Sequence, residues 1–326
     1  MTAHGSSTIT VHGIGLVARQ EIRTRLRTGR WKALLTVWGV VVNGLAVLFR
    51  LALESSEGFD WGDEEAVIMF GGVLLAVLVL TLLVTPALSA QTINGDRERG
   101  TLATLQVTRL TAGEIALGKL AAAWGTGLVV LGLTLPSLLL PVLEGAIGVG
   151  RFVVVVLVAG LLVGIVCAIS QGWSALLARS ITSVLMSYMT VFGLLVITPI
   201  VFTLAVPLTS APEDTGYGRY SKEHTEYVWW LLAPNPVVIL ADATPRLAEE
   251  KRHNLDYQRD DSDPLGDIGR SVRDVRAGSG GDEDSVGPVW PYGLGFNLML
   301  AGGAVWVSVR RLRAPARTLP EGIRVA

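Results

Sequence analysis

Three short stretches carry residue types at spacings that could do chemistry. The first, Gly113-Glu-Ile-Ala-Leu-Gly-Lys119, fits the G-x-x-x-x-G-K frame of a phosphate-binding loop, whose backbone amides cradle phosphate oxygens. Leu120 stands where that loop needs a Ser or Thr hydroxyl for magnesium, and no buried-strand pattern precedes Gly113. The same residues read better as the start of a helix. Thr111-Ala-Gly-Glu114 forms a capping box, in which the Thr111 hydroxyl accepts from the Glu114 amide while the Glu114 carboxylate accepts from the Thr111 amide. Leu110 and Ile115 stand at the two hydrophobic-staple positions. Gly113 then lies inside the first turn, with its amides already committed.

The second stretch, Asp261-Ser-Asp263-Pro-Leu-Gly266, begins like a calcium loop, but Leu265 and Val272 fall where oxygen ligands are required. The third, Gly172-Trp-Ser174, offers a serine inside an apolar run. A serine nucleophile needs a base, and His4, His12, His224 and His253 all lie outside the apolar runs. The lone Cys167 supports neither a disulfide nor a cysteine metal site. No catalytic, cofactor-binding or metal-ligating residue is therefore assigned, and the chain is not expected to be an enzyme.

The elements around these stretches are written for lipid. Of 326 residues, 50% are hydrophobic and only 17% are charged, below the ~25% of soluble proteins. A net charge of -1 removes the global basic field that nucleic acid would need. The abundance of Ala, Gly, Val and Arg with little Lys has a bacterial flavour. A helix crossing ~30 Å of hydrocarbon needs ~20 mostly apolar residues. Six stretches meet this: Ala33–Leu53, Ala66–Leu88, Leu120–Leu143, Phe152–Leu177, Val184–Leu208 and Val289–Val309. Asn43 and Arg50 interrupt the first, where Arg50 can snorkel outward or pair with Glu54. Arginine and lysine cluster in residues 1–32, 91–119 and the tail 310–326, whereas the segment after the first span holds Glu54, Glu57, Asp60, Asp63, Glu64 and Glu65 with no base. The positive-inside rule then puts both termini in the cytoplasm. The fold expected is an all-α membrane protein: a cytoplasmic arm at 1–32, spans one to five across 33–208, an extracytoplasmic stretch at 209–288, span six at 289–309 and a basic tail.

The arm reads as an amphipathic interfacial helix. Val11, Ile14, Ala18, Ile22 and Leu26 recur at helical spacing, with Arg19, Arg23, Arg27 and Arg30 opposite, to meet anionic lipid or an acidic partner. The plainer alternative is a positive flank that happens to be helical. In the long stretch, "YVWWLLAPNPVVILADATP" is apolar, too short to span and interrupted by Pro234 and Pro236, which suits a re-entrant or interfacial segment. Residues 246–287 are polar and glycine-rich, either a small cap or a loop. Gly160 and Gly164 suit close helix packing, and Trp124, Gln171, Trp173 and Tyr188 face either a substrate path or a neighbouring helix. Ahead of the capping box, "RGTLATLQV" is a short helix candidate whose Leu102 and Leu105 suit docking onto a soluble protein.

The run "DRERGTLATLQVTRLTAGEIALGK", Asp96 to Lys119, resembles the cytoplasmic signature of ABC-2 type permeases, the membrane subunits of bacterial ABC exporters. Asp96, Arg97, Glu98, Arg99, Gly100, Thr101, Leu102, Leu105, Thr108, Leu110, Glu114, Ile115, Gly118 and Lys119 fit it; Ala103 replaces the usual acid and Arg109 the usual proline. A weaker similarity covers the whole chain, including Ala233–Pro245 as the family's segment before the last span. The resemblance implies a coupling helix that receives motion from a separate ATP-binding subunit through Glu98, Arg99, Gly100, Thr101, Leu102, Leu105 and Thr108, with Thr111 and Glu114 capping the next helix. It implies that ATP and Mg are bound by that partner, that a second permease subunit completes the assembly, and that Asn43, Gln171, Tyr188, Pro234, Asn235 and Pro236 belong to the path or its outer gate. An ion-coupled secondary transporter and a membrane sensor with an extracytoplasmic domain are the rivals.

Overall fold

A computed structural model of the chain describes residues 9–27, 29–55, 63–100, 110–215, 218–245, 263–278 and 286–313. Its helices are α1 (Val11–Arg27), α2 (Gly29–Ser55), α3 (Asp63–Ser89), α4 (Asn94–Glu98), α5 (Ala112–Gly132), α6 (Leu135–Leu143), α7 (Val149–Leu176), α8 (Ser180–Phe192), α9 (Thr198–Ala205), α10 (Pro236–Ala243), α11 (Pro264–Ala277) and α12 (Trp290–Leu312). Among the described residues six helical segments are long and apolar enough to cross a membrane: Trp31–Ala52, Ala66–Glu98, Ala112–Gly132, Val149–Leu176, Ser180–Thr209 and Trp290–Leu312. That is the mark of a multi-pass membrane protein.

α7 is the axis of the bundle. It is apolar on nearly every side, and α3, α5, α8, α10 and α12 all pack against it. Gly160 and Gly164 sit on the face it turns to α5. A Cβ at Gly164 would meet the Trp124 ring at 2.9 Å, and the Trp124 indole N–H donates to the Gly160 carbonyl at 2.8 Å. Small residues thus let the two helices close up. Trp124 is a packing residue, as is Trp173, whose indole donates to the Thr190 hydroxyl at 2.9 Å.

At one end of the bundle, Ile93, Ile115, Ala175 and Leu312 cluster, so the ends of α3, α7 and α12 meet the start of α5 there. α1 packs along the start of α5 at this same end. The opposite end holds the starts of α7 and α12 together with α10 and α11.

The structure redraws several boundaries. The third apolar stretch is not one helix from Leu120 to Leu143. It begins at Ala112 and stops at Gly132, because the Thr134 hydroxyl turns back to the Leu131 carbonyl (2.6 Å) and Pro136 cannot donate to a continuing ladder; α6 restarts at Leu135. The fifth runs from Ser180 but widens into a π turn over Gly193–Ile197, just before Pro199. Arg50 reaches Glu144 across to the end of α6, at 2.9 Å, a partner the sequence spacing does not suggest. The all-α expectation omits one element, an antiparallel hairpin of Ala211–Thr215 with Gly218–Lys222. In the polar stretch after α10, the described part is not a loop: α11 is a helix whose Leu265 and Val272 enter the core. The buried face of α1 also differs. Ile14, Ala18 and Ile22 of the expected stripe are half-buried, but so are Glu21 and Arg25, Gly13 and Val17 are buried, and Val11 is 86% exposed. A close glycine contact with α5, rather than the apolar stripe alone, sets how α1 is turned.

Candidate functional site

The first end of the bundle is organised around Lys119, only 1% exposed. Its ammonium pairs with the Asp96 carboxylate on α4 and lies 3.5 Å from Glu21 on α1. Glu21 in turn holds Arg25 at 3.3 Å, and Asp96 holds Arg99 at 3.0 Å. Arg25 extends the network to the Leu88 carbonyl at the end of α3 (3.2 Å) and to the Thr126 hydroxyl on α5 (3.4 Å). These charges border a polar cavity of about 610 Å³ that also meets Trp31 and Gln91. A buried charge is tolerable only when paired and hydrogen-bonded, and here each acid answers more than one cation.

The glycines of the phosphate-loop look-alike have a different use. A Cβ at Gly118 would sit 2.6 Å from Val17 and 2.9 Å from the Ile14 carbonyl oxygen; one at Gly113 would meet Ile9 at 2.7 Å. On the opposing helix, a Cβ at Gly13 would meet the Glu114 carboxyl at 2.5 Å. Both glycines of Gly113–Lys119 therefore let α1 lie directly on α5. The capping box forms as the sequence spells it, with Glu114 N to the Thr111 hydroxyl at 3.1 Å and Thr111 N to the Glu114 carboxylate at 2.8 Å. Glu114 also accepts from the Thr10 amide at 2.9 Å, so the cap doubles as the anchor of α1. Gly118→Ala is expected to loosen α1, by ~1–3 kcal/mol for an overpacked contact. Limited trypsin cleavage after Arg19, Arg23 or Arg27 should accelerate. Gly125→Ala, with nothing within 4 Å of the added carbon, should leave the cleavage rate unchanged.

α4 is joined as firmly to the other side. The Ser174 hydroxyl of α7 accepts from the amides of Ile93 (3.2 Å) and Asn94 (3.1 Å). Ser174 is thus a staple for the turn after α3. Ser183 on α8 donates to the Ala90 carbonyl at 2.8 Å, and Glu98 accepts from the Ser180 amide at 3.2 Å, at the start of α8. Arg97 bridges Asn94 (2.8 Å) and the Leu177 carbonyl (3.3 Å). The short charged helix thus meets α5 through Asp96, whose partner Lys119 also pairs with Glu21 of α1, and meets α7 and α8 through its backbone and Glu98. Gly100 follows with φ of +70°, a left-handed conformation that suits glycine at a helix end. Of the seven predicted coupling residues, Glu98, Arg99 and Gly100 lie at this junction; Thr101, Leu102, Leu105 and Thr108 lie outside the described residues.

The predicted path and gate residues scatter. Asn43 on α2 donates to the Gly39 and Leu133 carbonyls (2.7 and 2.9 Å) and accepts from Ser137 (2.6 Å), which fastens α2 to the α5–α6 break. Gln171 is buried near the first end and donates to the Ala116 carbonyl at 2.9 Å, while its Oε1 has no partner. Tyr188 is half-buried on α8. Pro234, Asn235 and Pro236 do act as one unit. Pro199 has no N–H for the Leu195 carbonyl four residues back, and Asn235 Nδ2 donates to that oxygen at 3.1 Å and to the Thr198 hydroxyl at 3.0 Å. Its Oδ1 caps α10 through the Val237 amide (2.8 Å), with Pro236 in the first turn. The Pro234 carbonyl accepts from Asn297 on α12 at 2.9 Å.

Around that unit stands a clamp that no motif announces. Asp242, its side chain fully buried, accepts from Arg273 Nε on α11 (2.6 Å) and from the amides of Val289 and Trp290 (2.6 and 2.7 Å), which would otherwise be orphan donors at the start of α12. Arg151, at the start of α7, donates through Nη2 to both Asp263 oxygens at 2.7 and 2.9 Å. Both oxygens of the one described acid of the calcium-like stretch are engaged in this way. The Arg276 guanidinium lies over both the Trp229 and Tyr292 rings, 4.7 and 5.0 Å from their centroids. A lone acid inside the apolar run before Pro245, and a lone arginine at the head of the fourth span, were the available signals. No protein-family model matches the chain, and no curated protein matches it.

Proposed function

We propose that this chain is the permease subunit of an ATP-driven ABC exporter of the ABC-2 type, which forms the translocation path and couples to a separate ATP-binding subunit. The supporting observation is the junction at Asp96–Lys119: the turn that leads into residues 101–109 is bonded to α5, α7 and α8, and through Lys119 it reaches Glu21 of α1. A push on that turn would reach α5, α7 and α8 directly, and α1 by way of Lys119. The chain would sit in a bacterial plasma membrane with both termini in the cytoplasm, and its partner would hold ATP and Mg. A second permease, identical or homologous, or lipid would cover the apolar surface of α2, α8 and α12, where Val40, Ile181 and Met299 are 67, 83 and 74% exposed.

Asn235 then belongs to the outer gate, which the Asp242 and Arg151 clamps hold against α11. Ion-coupled carriers place ionisable groups at mid-depth. The buried charges here sit at the two ends of the described spans, which favours the ATP-driven reading. Co-expression with candidate ATP-binding subunits tests it. A stable complex is expected in detergent with the native sequence, and Leu102→Asp should weaken it at least tenfold, since a charge replaces an apolar contact. A chain that never associates with such a subunit would sink the proposal.

A further inference from the structure

The outward face of α1 carries chemistry that neither the junction nor the gate uses. Successive residues turn ~100° around a helix, so Arg19, Arg23 and Arg27 form one stripe, rotated by ~120° from the stripe of Gly13, Val17 and Glu21. The three arginines are exposed and form no ion pair among the described residues. With Leu16 and Leu110 they line an open groove of about 900 Å³ with no acid among its described lining residues. The same helix exposes Val11 and Leu16 at 86 and 49%. It ends at Arg27, only a few residues before the span that begins at Trp31, so its end lies where the chain enters the membrane.

We propose that this groove binds the headgroup phosphate of an anionic phospholipid in the adjoining leaflet. Three guanidiniums with no counter-charge among the described residues call for an anion, and Arg suits phosphate through paired N–H donors. Exposed Leu16 beside them favours acyl chains over the wet, acidic surface of a soluble protein. The occupied groove would hold α1 from outside while Val17 and Glu21 hold it to α5, so lipid charge would act on the Lys119 junction. This does not depend on the transport reading.

The test uses the full chain purified in detergent and mass spectrometry of the intact complex, with equal amounts of phosphatidylglycerol and phosphatidylcholine. Phosphatidylglycerol should be retained preferentially, should be released at about 0.5 M salt, where charges are screened within a few Å, and should not be displaced by glycerol phosphate. Arg19→Gln/Arg23→Gln/Arg27→Gln should weaken retention on the order of a hundredfold, from ~1 kcal/mol per arginine near an anionic surface. The matching triple lysine variant should keep most of it. Equal retention of both lipids by the native chain, or salt-insensitive retention, overturns the proposal whether or not the glutamine variant folds. So does unchanged lipid retention in a glutamine variant that instead loses an acidic protein partner.

Discussion

Lys119→Met is expected to cost ~3–5 kcal/mol of stability, the range for breaking a buried ion pair by removing one partner. The reason is what remains behind. Asp96 loses its buried cation and keeps Arg99, whose side chain is 66% exposed, and Glu21 keeps Arg25. A buried carboxylate deprived of its buried cation keeps its desolvation cost and loses its compensation. The double variant Lys119→Met/Asp96→Asn should recover at least half of the loss, because neutral pairs of similar volume often replace a buried ion pair at little cost. Denaturation in detergent, followed by tryptophan fluorescence, measures both. If the single variant is as stable as the native chain, the lysine is not the keystone of this end of the bundle. A nucleotide-site lysine would show the opposite pattern, with stability unmoved.

Asp242→Ala should be comparably damaging at the other end, at ~3–5 kcal/mol. One carboxylate satisfies Arg273 and two backbone amides at the start of α12; alanine takes the acceptor from both amides and leaves Arg273 its bond to the Asp242 backbone carbonyl at 3.2 Å. The local outcome is as informative as the total. α11 should detach from α10, so that a cysteine placed at the buried Val272 becomes reactive to a water-soluble maleimide in Asp242→Ala and stays protected in the native background. Asp242→Asn should fall between, since an amide oxygen can still accept from one amide while its NH₂ faces Arg273. A protected cysteine at Val272 in the alanine variant would show that the apolar contacts of Leu265 and Val272, not the clamp, hold α11.

The sequence makes the spans legible because each is a run of apolar residues whose length matches a membrane, and that signal is local. The capping box is equally local, since Thr111 and Glu114 are three residues apart and both bonds close within one turn. What escaped the sequence are partners far apart in the chain. Gly118 reads as half of a phosphate loop until Val17 and Ile14 lie against it, a contact 101 residues away for Val17 and 104 for Ile14. Lys119 reads as a positive-inside residue until Asp96 and Glu21 surround it. Asn43 and Gln171, polar inside apolar runs, suggest a path, yet each spends its amide on a neighbouring helix's carbonyl, as buried polar groups in a bundle must. α11 escaped because its polar residues outnumber its apolar ones. Only Leu265, Gly269 and Val272 are buried, too few to signal a docked helix before Arg273 and Asp263 find their acceptor and donor.

The coupling role is tested most directly by contact, without knowledge of the substrate. A photo-crosslinking amino acid at Leu105 should, on irradiation of cells, form an adduct whose mass and peptides identify an ATP-binding subunit. The same group at Leu208, an exposed residue far along the fifth span, should give none. An absent adduct at Leu105, or an equal one at Leu208, would contradict the assignment of residues 98–108 as the place where such a subunit pushes.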